Sequence, residues 1–205
     1  RSSDLDYSRS ACYNKLTINL RKVNYKMTQN RTLSLILPAF GAAIIAALAQ
    51  IIIPIGAVPI TLQTFAIGLV AAILKPREAT LAATLYLILG AIGLPVFAGG
   101  GGGLQAFFGP SAGYLLAYPF FALVTSALAH AKTPIWKIFL AFVLGDALVF
   151  VGGILSLHFL GKMGWSAAVA VGLTPFIIPD LLKGLIVALV TKPVLKALKN
   201  HSYFN

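Results

Sequence analysis

From Leu33 to Ile53 the sequence runs for 21 residues without a charged side chain. As an α-helix that is roughly 31 Å, enough to cross the hydrocarbon core of a bilayer. Five further apolar segments follow, at Pro59–Leu74, Ala79–Pro95, Pro110–His130, Pro134–Leu160 and Trp165–Val190. A water-soluble fold has no use for this pattern, because it needs charged surface between its apolar faces. Of the five acids in the chain (Asp4, Asp6, Glu78, Asp146 and Asp180), only the last three lie beyond residue 30. With 59% hydrophobic and 10% charged residues and a mean hydropathy of +0.89, the expectation is an all-α integral membrane protein with six transmembrane helices.

Charge orients the segments. With both termini cytoplasmic, that side receives Arg31, Lys75, Arg77, Lys132, Lys137, Lys192, Lys196 and Lys199, while the opposite side receives only Lys162. Such a bias follows the positive-inside rule and predicts a multi-pass protein of the cell membrane. It also explains the net charge of +11 without nucleic acid, since the cations cap apolar runs and do not line one face. The single cysteine, Cys12, excludes an intrachain disulfide, and the scattered His130, His158 and His201 match no metal-ligand spacing. No metal and no cofactor is expected.

The chain divides into three parts. Residues 1–30 are polar and lack the apolar core of a signal peptide, and a start at Met27 would make residues 1–26 an upstream extension. Residues 31–196 form the six-helix membrane domain, and residues 197–205 a basic cytoplasmic tail.

Several residues do not belong in lipid. Asp180 and Lys183 lie three apart in the last apolar segment, on one helical face, beside Pro179. Intramembrane charges are costly, so the pair faces a cavity or a partner. Pro179 is expected to disturb the helix beside them and open backbone groups to a cavity. Asp146 is the other intramembrane acid, either a site residue or a packing residue, and His158 is either an interfacial histidine or a proton relay. The first segment carries small residues at helical spacing, Ala39, Ala43 and Ala47, with Ala42, Ala46 and Ala49 offering overlapping registers; such rows admit another helix closely. Five consecutive glycines, Gly99–Gly103, sit between Phe97 and the aromatic pair Phe107 and Phe108. They follow no strand and precede no GKS/T, so they are not a nucleotide-binding fingerprint. Their backbone can approach a ligand because no Cβ intervenes. The run and the Pro54–Pro59 turn are expected on the outer side.

The stretches VPITLQTF (58–65), YLILGAIGLPVFAGGGGG (86–103), GPSAGYL (109–115) and PDLLKG (179–184) together resemble the BioY family, the biotin-binding S components of energy-coupling factor (ECF) vitamin transporters. The resemblance extends from about Leu35 to Val194. It implies high-affinity capture of biotin from the outer side, and association with a transmembrane coupling protein and two cytoplasmic ATPases. It further implies that Asp180 accepts from the ureido N–H groups, while Lys183 addresses either the ureido carbonyl or the valerate carboxylate. Tyr86, Gln63, Thr61 and Tyr114 become secondary polar or stacking groups, and Phe97 with Gly99, Gly100 and Gly101 closes around the thioether ring. The alanine row becomes the docking face for the coupling protein. The residues taken alone leave open an S component for another vitamin, an intramembrane enzyme using Asp146, Asp180 and His158, and autonomous ion-coupled uptake.

Overall fold

The computed structural model describes residues 32–53, 60–129, 133–198 and 203. The polar segment 1–30, the Pro54–Pro59 turn, His130, Lys132, Lys199 and His201 lie outside them. The chain separates into two compact units, residues 1–36 and 37–205; of the first, the described residues are 32–36, which open helix α1.

Helix α1 (Thr32–Ala49) turns Ala42, Ile45 and Ala49 inward, and leaves Ala39, Phe40, Ala43 and Ala47 exposed. Gly41 makes the inner face flat enough for Ala82 and Val70 to pack on it. The expected helix to Ile53 is shorter by four residues. Ile52–Ile53 forms strand β1, paired antiparallel with β2 (Ile60–Thr61), Ile52 opposite Thr61. Three β-branched residues followed by Pro54 favour an extended chain over a last helical turn.

The second expected segment also loses its start to this hairpin. Helix α2 (Gln63–Ile73) has 11 residues, about 16 Å, and is buried nearly all round. The Thr61 hydroxyl accepts from the Gln63 N–H at 3.2 Å, satisfying a donor at the helix entrance. Helix α3 (Pro76–Ala91) begins with proline at its first position and Glu78 in its first turn, both favourable there. Gly93, at φ 102°, ends it, because only glycine takes that conformation without strain.

Helix α4 (Ala112–Leu128) and helix α5 (Ile135–Phe159) pack closely along their length. Their backbones meet at Gly113 and Gly152, where a Cβ on Gly152 would lie 2.5 Å from the Gly113 carbonyl oxygen. The Ser156 hydroxyl donates to the Pro110 carbonyl at 2.7 Å and fixes the helix entrance. Helix α6 (Trp165–Gly172) and helix α7 (Ile177–Leu198) replace the expected single segment, bent by 42°. Pro175 lies in the break. Pro179 does not break the helix; it sits in the first turn of α7, where its missing N–H costs nothing.

Among the described residues, α1 and α5 are each long and apolar enough to cross a membrane, and α6 with α7 makes a third if the bent pair is one span. Large side chains such as Phe40, Phe120, Val151 and Leu182 point outward from the helices, as a lipid-facing surface requires.

Candidate functional site

Helices α2, α4, α5 and α7 and the glycine loop enclose a cavity of about 440 Å³, within the range of small-molecule sites. Its polar wall is built where α2 crosses α7. Asp180 in the first turn of α7 faces Lys183 one turn later, and the Lys183 Nζ donates to Asp180 Oδ1 at 2.5 Å. Thr64 closes a ring: its hydroxyl accepts from Lys183 at 3.1 Å and donates to Asp180 Oδ1 at 3.2 Å. All three side chains are buried. An isolated charge here would be prohibitive, whereas the hydrogen-bonded pair is tolerated and keeps one acceptor and one donor fixed at the wall. Both bonds to Asp180 fall on Oδ1, so Oδ2 takes no part in the ring.

Gln63, one residue before Thr64, heads a second network. Its amide oxygen accepts from Tyr118 at 3.3 Å and Thr61 at 3.1 Å, and its amide nitrogen donates to Tyr86 at 2.5 Å. The amide is thereby locked in one orientation with one N–H left over.

The remaining wall is aromatic and aliphatic. Phe97 stands edge-on to Tyr86 and Phe107, with centroids 5.5 and 5.7 Å away. Its ring occupies the space over Gly90 where a Cβ would otherwise sit. Tyr114 lies over Gly153 and donates to the Gly172 carbonyl at 2.7 Å, tying α4 to the end of α6. Val149, Phe150 and Phe176 complete the lining from α5 and the α6–α7 break.

The glycine run is a folded turn. The Phe97 N–H donates to the Gly101 carbonyl at 2.9 Å, and the Gly103 N–H to the Gly90 carbonyl at 2.7 Å. Gly103 needs glycine for its φ of 94°, and Gly102 for its approach to the Leu94 carbonyl, which a Cβ would strike.

Of the residues expected at a site, Asp180, Lys183, Gln63, Thr61, Phe97, Gly101 and Tyr114 lie on the cavity wall. Tyr86 is off the wall, behind Gln63 and Phe97. Gly99 and Gly100 lie off the wall, and the turn brings Gly101 and Gly102 to it instead. Asp146 is buried in α5 away from the lining. His158 is also elsewhere: it donates from Nδ1 to the Met163 carbonyl at 2.7 Å and stacks on Trp165 at 4.0 Å. Sequence reasoning missed Thr64 and Tyr118. Thr64 adjoins Gln63 in the matched motif, and Tyr118 follows Tyr114 at i+4, so the helical face of α4 carried that signal.

Comparison with known proteins places the chain. The BioY family model matches residues 21–200. A Lactococcus lactis protein, biotin transporter BioY2, is 42% identical over 180 residues, covering 87% of this chain and 99% of the relative. The biotin transporter BioY of Thermotoga maritima is 38% identical over 148 residues, covering 72% and 87%. A solved crystal structure, the S-component for biotin from an ECF-type ABC transporter, aligns with a TM-score of 0.77 at 28% identity, covering 86% of this chain and 98% of that one. The chain belongs to the BioY family.

Proposed function

We propose that the chain binds biotin in the cavity between α2, α4, α5, α7 and the glycine loop, as the substrate-binding S component of an ECF-type transporter. The observation that carries this reading is the Thr64–Asp180–Lys183 ring on the wall of an otherwise largely apolar cavity. Biotin's fused ring is compact and neutral, with two ureido N–H donors and one carbonyl acceptor. Asp180 accepts from the ureido N–H groups through the oxygen its ring leaves unused. Lys183 donates to the ureido carbonyl or to the valerate carboxylate. Gln63, held by Tyr86, Tyr118 and Thr61, offers its remaining N–H, and Phe97, Tyr114 and Gly101 cover the apolar part of the ligand. Buried polar groups matched in this way reject analogues that lack the partner atoms.

The membrane arrangement follows the same reading. Six crossings are formed by α1, α2, α3, α4, α5 and the bent α6–α7 pair, with both termini cytoplasmic and the glycine loop outside. The eight-to-one bias of cations supports this orientation. On α1, Ala39, Ala43 and Ala47 form the exposed row, whereas Ala42 and Ala49 are buried, so the exposed register is the one available to a transmembrane coupling protein. Two cytoplasmic ATPases complete the transporter and supply the energy for uptake.

Calorimetric titration of biotin into the detergent-purified chain tests the reading. Tight binding at one site per chain, weakened in Asp180→Asn and Lys183→Ala, is the expected result. A folded protein that gives no heat with biotin, or variants that bind as the parent does, contradicts it.

A further inference from the structure

Asp146 Oδ1 is the one buried side-chain oxygen without a hydrogen-bond partner among the described residues. Packing of α5 on α7 fixes where it lies. A Cβ on Gly184 would press 2.7 Å from the Phe142 ring, so the two helices touch there. They run in opposite senses, since Phe150, farther along α5 than Phe142, meets Phe176 just before α7, with ring centroids 6.5 Å apart. One turn from that contact toward the cavity lies Asp146 on α5 and Asp180 on α7, with Lys183 beside Gly184. Asp146 accordingly interacts electrostatically with both Asp180 and Lys183. One buried layer therefore holds two carboxyls and a single ammonium.

The ring described above uses two of the three N–H donors of Lys183, on Asp180 and Thr64. Ligand donors arriving at Asp180 Oδ2 draw on the same carboxylate charge that holds the ammonium, and so weaken its bond to Oδ1. A buried ammonium that loses its carboxylate is severely destabilised, whereas one that finds another within reach is not. We propose that Asp146 is a positioning residue, a second station to which the Lys183 ammonium turns when ligand donors occupy Asp180. This rests on the reading of Asp180 and Lys183 as the ligand-facing pair. It gives a use to an acid that is buried off the cavity wall with one oxygen unbonded.

Two mutant cycles on the full chain test this. In the first, biotin affinity is measured. Asp146→Asn weakens binding about tenfold in the parent and less than about twofold in the Lys183→Met background, while Asp146→Glu retains most of the affinity. In the second, the apparent melting temperature of ligand-free protein is measured. Asp146→Asn alone changes it little, because Oδ1 has no hydrogen bond to lose. Combined with Asp180→Asn it strands the ammonium, and the loss exceeds the sum of the single losses by about 5 °C. Adding Lys183→Met to that double variant removes the stranded charge and restores most of the loss. If the double variant yields no folded protein while both singles do, recovery in the triple variant decides the same point. Additive losses, a triple variant no better than the double, or an Asp146→Asn effect unchanged by Lys183→Met overturns the proposal. Parent protein that ignores biotin removes the proposed ligand, and the ligand-free cycle still decides the role of Asp146.

Discussion

The cavity has two unlike walls. Where α2 meets α7, side chains do the work: Thr64, Asp180 and Lys183 fix one another through charge-assisted bonds in a buried layer. Across from it, the Phe97–Gly103 turn contributes backbone and one ring, held by main-chain bonds to Gly90 and within the turn. The first wall can discriminate between ligands, because an unmatched partner leaves a buried charge unsatisfied. The second can only enclose, since van der Waals contact rewards shape and not hydrogen-bonding pattern. Substitutions on the two walls should therefore fail in different ways.

The largest effect belongs to the charged wall. Asp180→Asn removes a charged acceptor worth about 1.5–3 kcal/mol, so biotin affinity measured calorimetrically should fall roughly 10- to 150-fold. A fall of less than about threefold would make the pair a packing device. On the loop, Gly102→Ala drives a Cβ into the Leu94 carbonyl, a backbone atom that cannot turn aside. We expect about 1–2 kcal/mol of lost stability and a few-fold loss of affinity, with discrimination between biotin and its analogues kept. Altered discrimination would erase the distinction between the walls. The smallest effect is expected behind the wall: Tyr86→Phe deletes the acceptor of the Gln63 amide and should cost about 1 kcal/mol of binding, read as a roughly fivefold change. Equal affinity would mean that Tyr118 and Thr61 orient the amide unaided.

Much of this architecture can be read from the chain because lipid imposes it. Uncharged runs of bilayer length become helices, and an acid and a lysine three apart in such a run must meet each other. The alanine face of α1 is less transparent, since Ala39 and Ala42 are the same residue type and only packing against Ala82 and Val70 decides which row is buried. The glycine run has the same difficulty. Five identical residues carry no sign of which reaches the cavity, and the turn presents Gly101 and Gly102 while Gly99 and Gly100 lie off the wall. Thr64 and Tyr118 look ordinary in an apolar helix; their meaning comes from their bonds to Asp180 and Gln63 on neighbouring helices. Ile52–Ile53 extends a helical run by composition, and its pairing with Ile60–Thr61 depends on a chain reversal that local apolarity does not announce.

The most direct test asks whether Asp180 reads the ureido N–H groups. Biotin and a biotin methylated on one ureido nitrogen are titrated into the parent protein and into Asp180→Asn, and the four affinities form a cycle between ligand and residue. The parent should prefer biotin by at least about tenfold, and Asp180→Asn should lose most of that preference, because the acceptor that distinguishes the two ligands is gone. A preference that survives intact in Asp180→Asn would contradict the account, and would place ureido recognition on another group.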